Sequence, residues 1–158
     1  ARAGAAVTAQ FTLHGDLGAL RLPAPAPAAH ADGLWRTTCF EAFLQPGEGG
    51  AYVEFNFSPS SQWAAYQFDA YRAGMAPLKL AAAPRIATER AGDRLTLTAA
   101  FALAEAGDLV AAARWRIGLC AVIEDETGAL GYWALAHAPG KPDFHHSETR
   151  ILTLAEAP

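Results

Sequence analysis

The sequence predicts an all-β sandwich or barrel, and three observations carry that expectation. Seven or more short segments alternate apolar and polar residues with the two-residue period of strands. Turn signals rich in Gly, Pro, Asn and Ser separate them at fairly regular intervals. Only one segment reads as helix. No self-similar period or linker divides the sequence, so residues 1–158 are read as a single domain. With 52% apolar and 18% charged residues, a chain of this size can bury a core.

The first expected element is Val7 to Leu22, one or two short strands (AVTAQFTL, then ALRL) around a His-Gly-Asp turn at 14–16. The PAPAPA run at 23–28 lacks the N–H groups that a sheet interior needs, which makes it a stiff surface connection or an edge. A strand is expected from Trp35 to Leu44, a hairpin turn at PGEGG (46–50) and a return strand from Tyr52 to Phe57. In that hairpin Phe40, Leu44, Val53 and Phe55 face a core, while Glu41, Glu54 and Asn56 share the other face. Ser58 to Ser61 is a turn, and Trp63 to Arg72 alternates again. Arg85 to Phe101 forms a further hairpin through Ala91-Gly92-Asp93, with Leu95, Leu97, Ala99 and Phe101 on one side. Ala102 to Ala113 is the helical segment, a turn or two because Gly107 interrupts it. Trp115 to Glu124 is a strongly apolar strand, Asp125 to Leu130 a turn, and Gly131 to His137 its partner. A loop from Ala138 to Ser147 leads to a closing strand over Thr149 to Leu154.

Charge and composition narrow the function classes. A net charge of −4 with scattered basic residues offers no stripe for a polyanion, so nucleic acid is not an expected partner. No run approaches the ~18 consecutive apolar residues of a membrane-spanning helix. Cys39 and Cys120 each sit alone in a strand-like run and read as buried free thiols, which favours a reducing cytoplasm. The residues hold no Gly-rich phosphate loop, C-x-x-C, H-E-x-x-H or nucleophile elbow. Ser58, Ser60 and Ser61 are turn residues, and Glu124-Asp125-Glu126 is a hairpin tip with a weak calcium site as its alternative.

The stretch from Leu34 to Met75 concentrates the aromatic residues, with two of four Trp, five of eight Phe and three of four Tyr, and so reads as a binding surface. Glu41, Glu54 and Asn56 on one hairpin face would be costly to cover unpaired. They are expected to line a groove or be satisfied by Arg72, with Trp35 and Trp63 nearby to stack on a ring. Trp115 reads as core. His145 and His146 form a loop pair, either solvated or contacting a ligand or metal, and Met75 is either a core plug or a soft ligand. Glu41 and Glu54, opposite or one diagonal step apart, have the spacing of a retaining glycosidase pair. Arg36 and Arg72 are expected to hold both carboxylates ionised, leaving no protonated acid, so the reading is non-catalytic.

Leu-Trp with Thr-Cys-Phe-Glu-Ala-Phe-Leu (34–44), Tyr-Val-Glu-Phe-Asn-Phe-Ser-Pro-Ser (52–60), Trp-Ala-Ala-Tyr-Gln-Phe-Asp-Ala-Tyr-Arg-Ala-Gly-Met (63–75), Tyr-Trp-Ala-Leu-Ala-His and Pro-Asp-Phe-His-His carry a resemblance. The chain resembles bacterial DOMON-like proteins, grouped with family 9 carbohydrate-binding modules and DOMON-type cytochrome domains. The resemblance implies an immunoglobulin-like or jelly-roll β-sandwich that binds sugars or haem in a pocket. For a sugar, Trp35 and Trp63 are the stacking candidates. For a haem, Met75 with His145 or His146 supplies the ligand types. The expected function is a non-catalytic module for a small ligand, a sugar or similar polar ring compound. The alternatives are a haem-binding, b-type cytochrome-like domain and a protein-interaction module marked by a broad apolar patch.

Overall fold

Alternation through residues 39–68 gives each strand one face for each of two separate apolar clusters. The computed structural model describes residues 2–3, 6–102 and 114–155. In chain order its strands are β1 (Arg2–Ala3), β2 (Ala6–His14), β3 (Cys39–Pro46), β4 (Tyr52–Phe57), β5 (Trp63–Phe68) and β6 (Ala76–Pro77). They continue as β7 (Arg85–Ala91), β8 (Arg94–Ala102), β9 (Arg114–Glu124), β10 (Leu130–Ala134) and β11 (Leu152–Ala155). All pair antiparallel. A four-stranded sheet has the order β1-β2-β8-β7, and a seven-stranded sheet the order β10-β9-β3-β4-β5-β6. Strand β9 is long enough to carry β10 and β11 on one edge, β10 from Cys120 to Glu124 and β11 from Arg114 to Ile117.

The two sheets face one another as an all-β sandwich. Phe40, Ala42 and Leu44 of β3 and Val53, Phe55 and Phe57 of β4 pack against Val7, Ala9, Leu95, Leu97, Ala99 and Phe101 of the smaller sheet. Phe101 lies 4.3 Å from Phe55 and 5.3 Å from Phe57, ring centroid to centroid. Trp115 is fully buried in this core, as its alternation with Ile117 and Leu119 suggests.

The outer face of the larger sheet is covered as well. Phe43, Tyr52, Ala64, Tyr66, Phe68, Cys120 and Val122 form a second cluster there, closed by Leu34 and Trp35 from one loop and Phe144 from another. All six residues of β4 are consequently buried, and the face bearing Glu54 and Asn56 lies beneath loops. Cys39 and Cys120 are buried free thiols.

Local departures from the expected elements have identifiable causes. Gly33, at φ 75°, starts a 3-10 turn over Leu34–Arg36, so β3 begins at Cys39 and Trp35 stands before the strand. The ALRL segment is not a strand: the Asp16 side chain accepts from Gly18 N–H and caps a 3-10 turn over Leu17–Ala19. Strand β5 stops at Phe68 because the chain turns sharply, with Arg72 at φ 52° and Gly74 at φ 67°. A Cβ at Gly74, already at positive φ, would run into the Asp69 side chain, which favours glycine there. Beyond Ala102, the expected helical segment lies outside the described residues. The PAPAPA run borders the turn before β5 on the surface, where Ala26 N–H donates to Ser60 O. Among the described residues no helix is long and apolar enough to cross a membrane.

Candidate functional site

A cavity of about 340 Å³ opens on the outer face of the larger sheet. Glu41 and Phe43 of β3, Glu54 of β4, Phe68 of β5 and Val122 of β9 form its floor. Trp35 from the turn before β3, Arg72 and Met75 from the turn after β5, Tyr132 of β10, and Asp143, Phe144 and His145 of the next loop form its walls. The rim is aromatic and partly open, with Tyr132 44% and Met75 51% exposed. Trp35 stands edge-on to Tyr66, at 5.8 Å between centroids.

Strand register sets the carboxyl pair. Glu41 pairs with Asn56 and Phe43 with Glu54, so the two glutamates are diagonal neighbours on one face. Glu41 is only 3% exposed; its Oε1 has no hydrogen-bond partner, and Oε2 lies 3.7 Å from Cys120 Sγ. Burial first, and Glu54 second, push its pKa from 4.5 up to about 8. Glu41 is therefore protonated at neutral pH and can donate a hydrogen bond. This overturns the expectation that arginines keep both carboxylates ionised. Of the two glutamates Arg72 acts on Glu54, whose pKa is also raised by burial while the Asn56 hydrogen bond and Arg72 oppose the rise. Arg36 faces solvent beside Gly33.

Glu54 is fixed from behind and faced from the side. Asn56 Nδ2 donates to its Oε1 at 2.6 Å, and His145 Nε2 stands 3.9 Å from Oε2. Arg72 N–H donates to Tyr52 Oη at 3.2 Å, which leaves the Tyr52 hydroxyl to donate its own hydrogen bond to His145 Nδ1 at 2.8 Å. This assigns the remaining proton to Nε2, on the Glu54 side. Burial, with Arg72 adding to it, lowers the His145 pKa to about 4, which keeps the ring neutral. Asp143 accepts from the Tyr71 hydroxyl, from Arg72 at 2.8 Å and from His145 N–H at 3.1 Å, tying together the two loops that wall the cavity.

The structure brings together Trp35, Glu41, Glu54, Arg72, Met75 and His145 of the residues singled out by sequence. Asn56 is fully buried behind Glu54, a positioning residue with no access to the cavity. Trp63 lies on the other face of the sheet, packed against the main core, because it pairs with inward-facing Phe57. The arrow-straight alternation of β5 sends it there. His146 is turned away: its Nδ1 accepts from Glu148 N–H at the start of a 3-10 turn. At the tip formed by 124–126, Glu124 pairs with Arg21 at 3.1 Å and Asp125 accepts from Thr127 and Ala129 N–H, a self-satisfied turn. Met75 is no core plug, being half exposed. Phe68, Val122, Tyr132, Asp143 and Phe144 were not singled out, although Pro-Asp-Phe-His-His and Gly-Tyr-Trp-Ala mark two of these walls.

The residues do not fit a haem. Both ring nitrogens of His145 are directed at protein oxygens, and an apolar porphyrin would have to cover the carboxyl groups of Glu41 and Glu54. His146 lies outside the cavity that Met75 lines.

The fold and cavity thus define a β-sandwich with a polar-floored, aromatic-walled pocket on one sheet. No family model matches the chain, and no curated protein matches it. The structure is similar to the crystal structure of a putative carbohydrate-binding protein from Bacteroides uniformis, with a TM-score of 0.67 and 14% identity. The likeness covers 96% of this chain and 73% of the other. At that identity it speaks for a shared sandwich fold.

Proposed function

We propose that the chain is a non-catalytic binding module that holds a sugar or similar polar ring compound in the outer-face cavity. The observation that carries this is the mixture of donors and acceptors on the floor and walls of the cavity, set among aromatic side chains. Protonated Glu41 and His145 Nε2–H donate, Glu54 accepts, and Arg72 adds a cationic donor. A polyol presents hydroxyl groups that both donate and accept, and its ring carbons suit aromatic faces such as Trp35 and Tyr132. A cavity of about 340 Å³ accommodates a small ring compound. The likeness to a putative carbohydrate-binding protein supports the same ligand class.

A hydrolytic reading has one observation in its favour, a protonated carboxyl diagonal to a second carboxyl. Against it, Glu41 and Glu54 are 3% and 4% exposed, and Glu54 spends one oxygen on Asn56. That leaves room for a single hydrogen bond to a ligand but little for attack on an anomeric carbon. The test is calorimetric titration with a panel of monosaccharides and short oligosaccharides, beside an assay of aryl glycosides. Saturable binding without turnover supports the module, and turnover abolished by Glu54→Gln overturns it.

A further inference from the structure

A second cavity, of about 510 Å³, lies on the far side of His145, the one residue it shares with the pocket above. Arg116 of β9 and Arg150, Tyr71, His146, Ser147 and Glu48 contribute to its walls. Arg150 is the anomaly. It is only 3% exposed, and its guanidinium remains charged at any physiological pH. Its hydrogen bonds go to neutral acceptors, Gln45 Oε1 at 3.3 Å and His145 O at 2.9 Å, and it stacks over the Tyr52 ring at 4.3 Å. Its Nε is buried with no partner.

Among the described residues, no carboxylate comes within ion-pair distance of Arg150. Asp143, whose charge reaches it, is already bound to Arg72, Tyr71 and the His145 N–H. Among the described residues Arg116 has no carboxylate partner either, and it donates to Ser147 O at 3.2 Å. Among the described residues Glu48 is the one acidic wall residue, exposed on the turn between β3 and β4. Two guanidinium groups thus face one cavity against one solvated carboxylate. A buried cation without a counter-charge is costly, and a forked guanidinium is matched in shape by the paired oxygens of an oxyanion.

We infer that this cavity is an oxyanion site in which Arg150 and Arg116 bind a carboxylate, phosphate or sulfate group. It is separate from the ring-compound pocket, and its failure would leave that reading intact. The test uses the full chain with sodium phosphate, sodium sulfate and sodium acetate, each against sodium chloride at matched ionic strength, read by calorimetry and thermal unfolding. At least one oxyanion is expected to bind saturably and raise the midpoint where chloride does not. A preference for phosphate or sulfate assigns a tetrahedral anion, and a preference for acetate assigns a carboxylate. Arg116→Gln is expected to weaken binding tenfold or more and Glu48→Gln to strengthen it, both at partly exposed positions that do not threaten folding. Arg150→Gln is expected to abolish it. No saturable binding of any of the three, or binding unchanged in Arg116→Gln, would overturn the site.

Discussion

Replacing Glu41 by Gln removes the titration of the most deeply buried carboxyl in the pocket. In the folded chain Glu41 holds its proton up to about pH 8, whereas once unfolded it loses it near 4.5. Between those values the unfolded state gives up a proton that the folded state keeps, so stability falls as pH rises. His145, lowered from 6.5 to about 4, acts in the opposite direction: stability rises with pH across that interval and is level above it. Glu54, raised in the same direction by burial, adds to the fall, so the share of Glu41 is the difference between the unmodified chain and Glu41→Gln from pH 6.5 to 8. A proton difference approaching one, tapering toward pH 8, corresponds to a loss of about 1.5–2 kcal/mol across that window. Urea unfolding followed by tryptophan fluorescence at pH 6.5, 7.0, 7.5 and 8.0 measures it directly. The unmodified chain should lose about that amount more than Glu41→Gln does over the same window. An unchanged slope in Glu41→Gln would refute the assignment of a neutral carboxyl, and with it the donor on the cavity floor.

Other substitutions separate the core from the pocket. Phe55→Ala empties the centre of the aromatic contact with Phe57 and Phe101 and should cost about 3–5 kcal/mol in chemical unfolding. Trp35→Ala, at the cavity wall, should cost less stability than that but weaken a bound sugar about tenfold, or ~1.4 kcal/mol, in calorimetry. Gly74→Ala combines a φ of 67° with a Cβ driven into Asp69, and should destabilise by more than Gly92→Ala, which has a φ of 60° but open space. Thermal unfolding of the two variants checks the order, and Gly74→Ala should also weaken ligand binding because the same turn carries Arg72 and Met75.

Most of the strand framework is legible in the sequence because period-two alternation reports directly on sheet faces. Tyr52–Phe57 and the turn at 91–93 emerge as expected, and Leu95, Leu97, Ala99 and Phe101 point into the sandwich. Alternation cannot report what covers a face. The side of β3 and β4 bearing Glu41 and Glu54 reads as a wet or groove-lining face, and what roofs it is Trp35 from the turn just before β3 together with Phe144 from a loop far along the chain. For the same reason nearby arginines in sequence suggested ionised carboxylates. Arg36 faces solvent, and burial governs Glu41 instead. Trp63 shows the complementary error: its residue type suggested stacking, but its register with Phe57 points it inward. Arg150 carried no sequence signal, since its burial beside Tyr52 arises only when the last loop folds over β4.

The most direct measurement of the ligand assignment is an amide and indole NMR titration of the full chain with glucose, galactose, mannose, xylose and N-acetylglucosamine. The account predicts saturable shifts for at least one sugar, concentrated at the Trp35 indole, Arg72, Tyr132 and the 143–145 loop, and lost in Glu54→Gln. Shifts centred instead on exposed Trp133 and Leu135, or no saturable shift with any sugar, would contradict it.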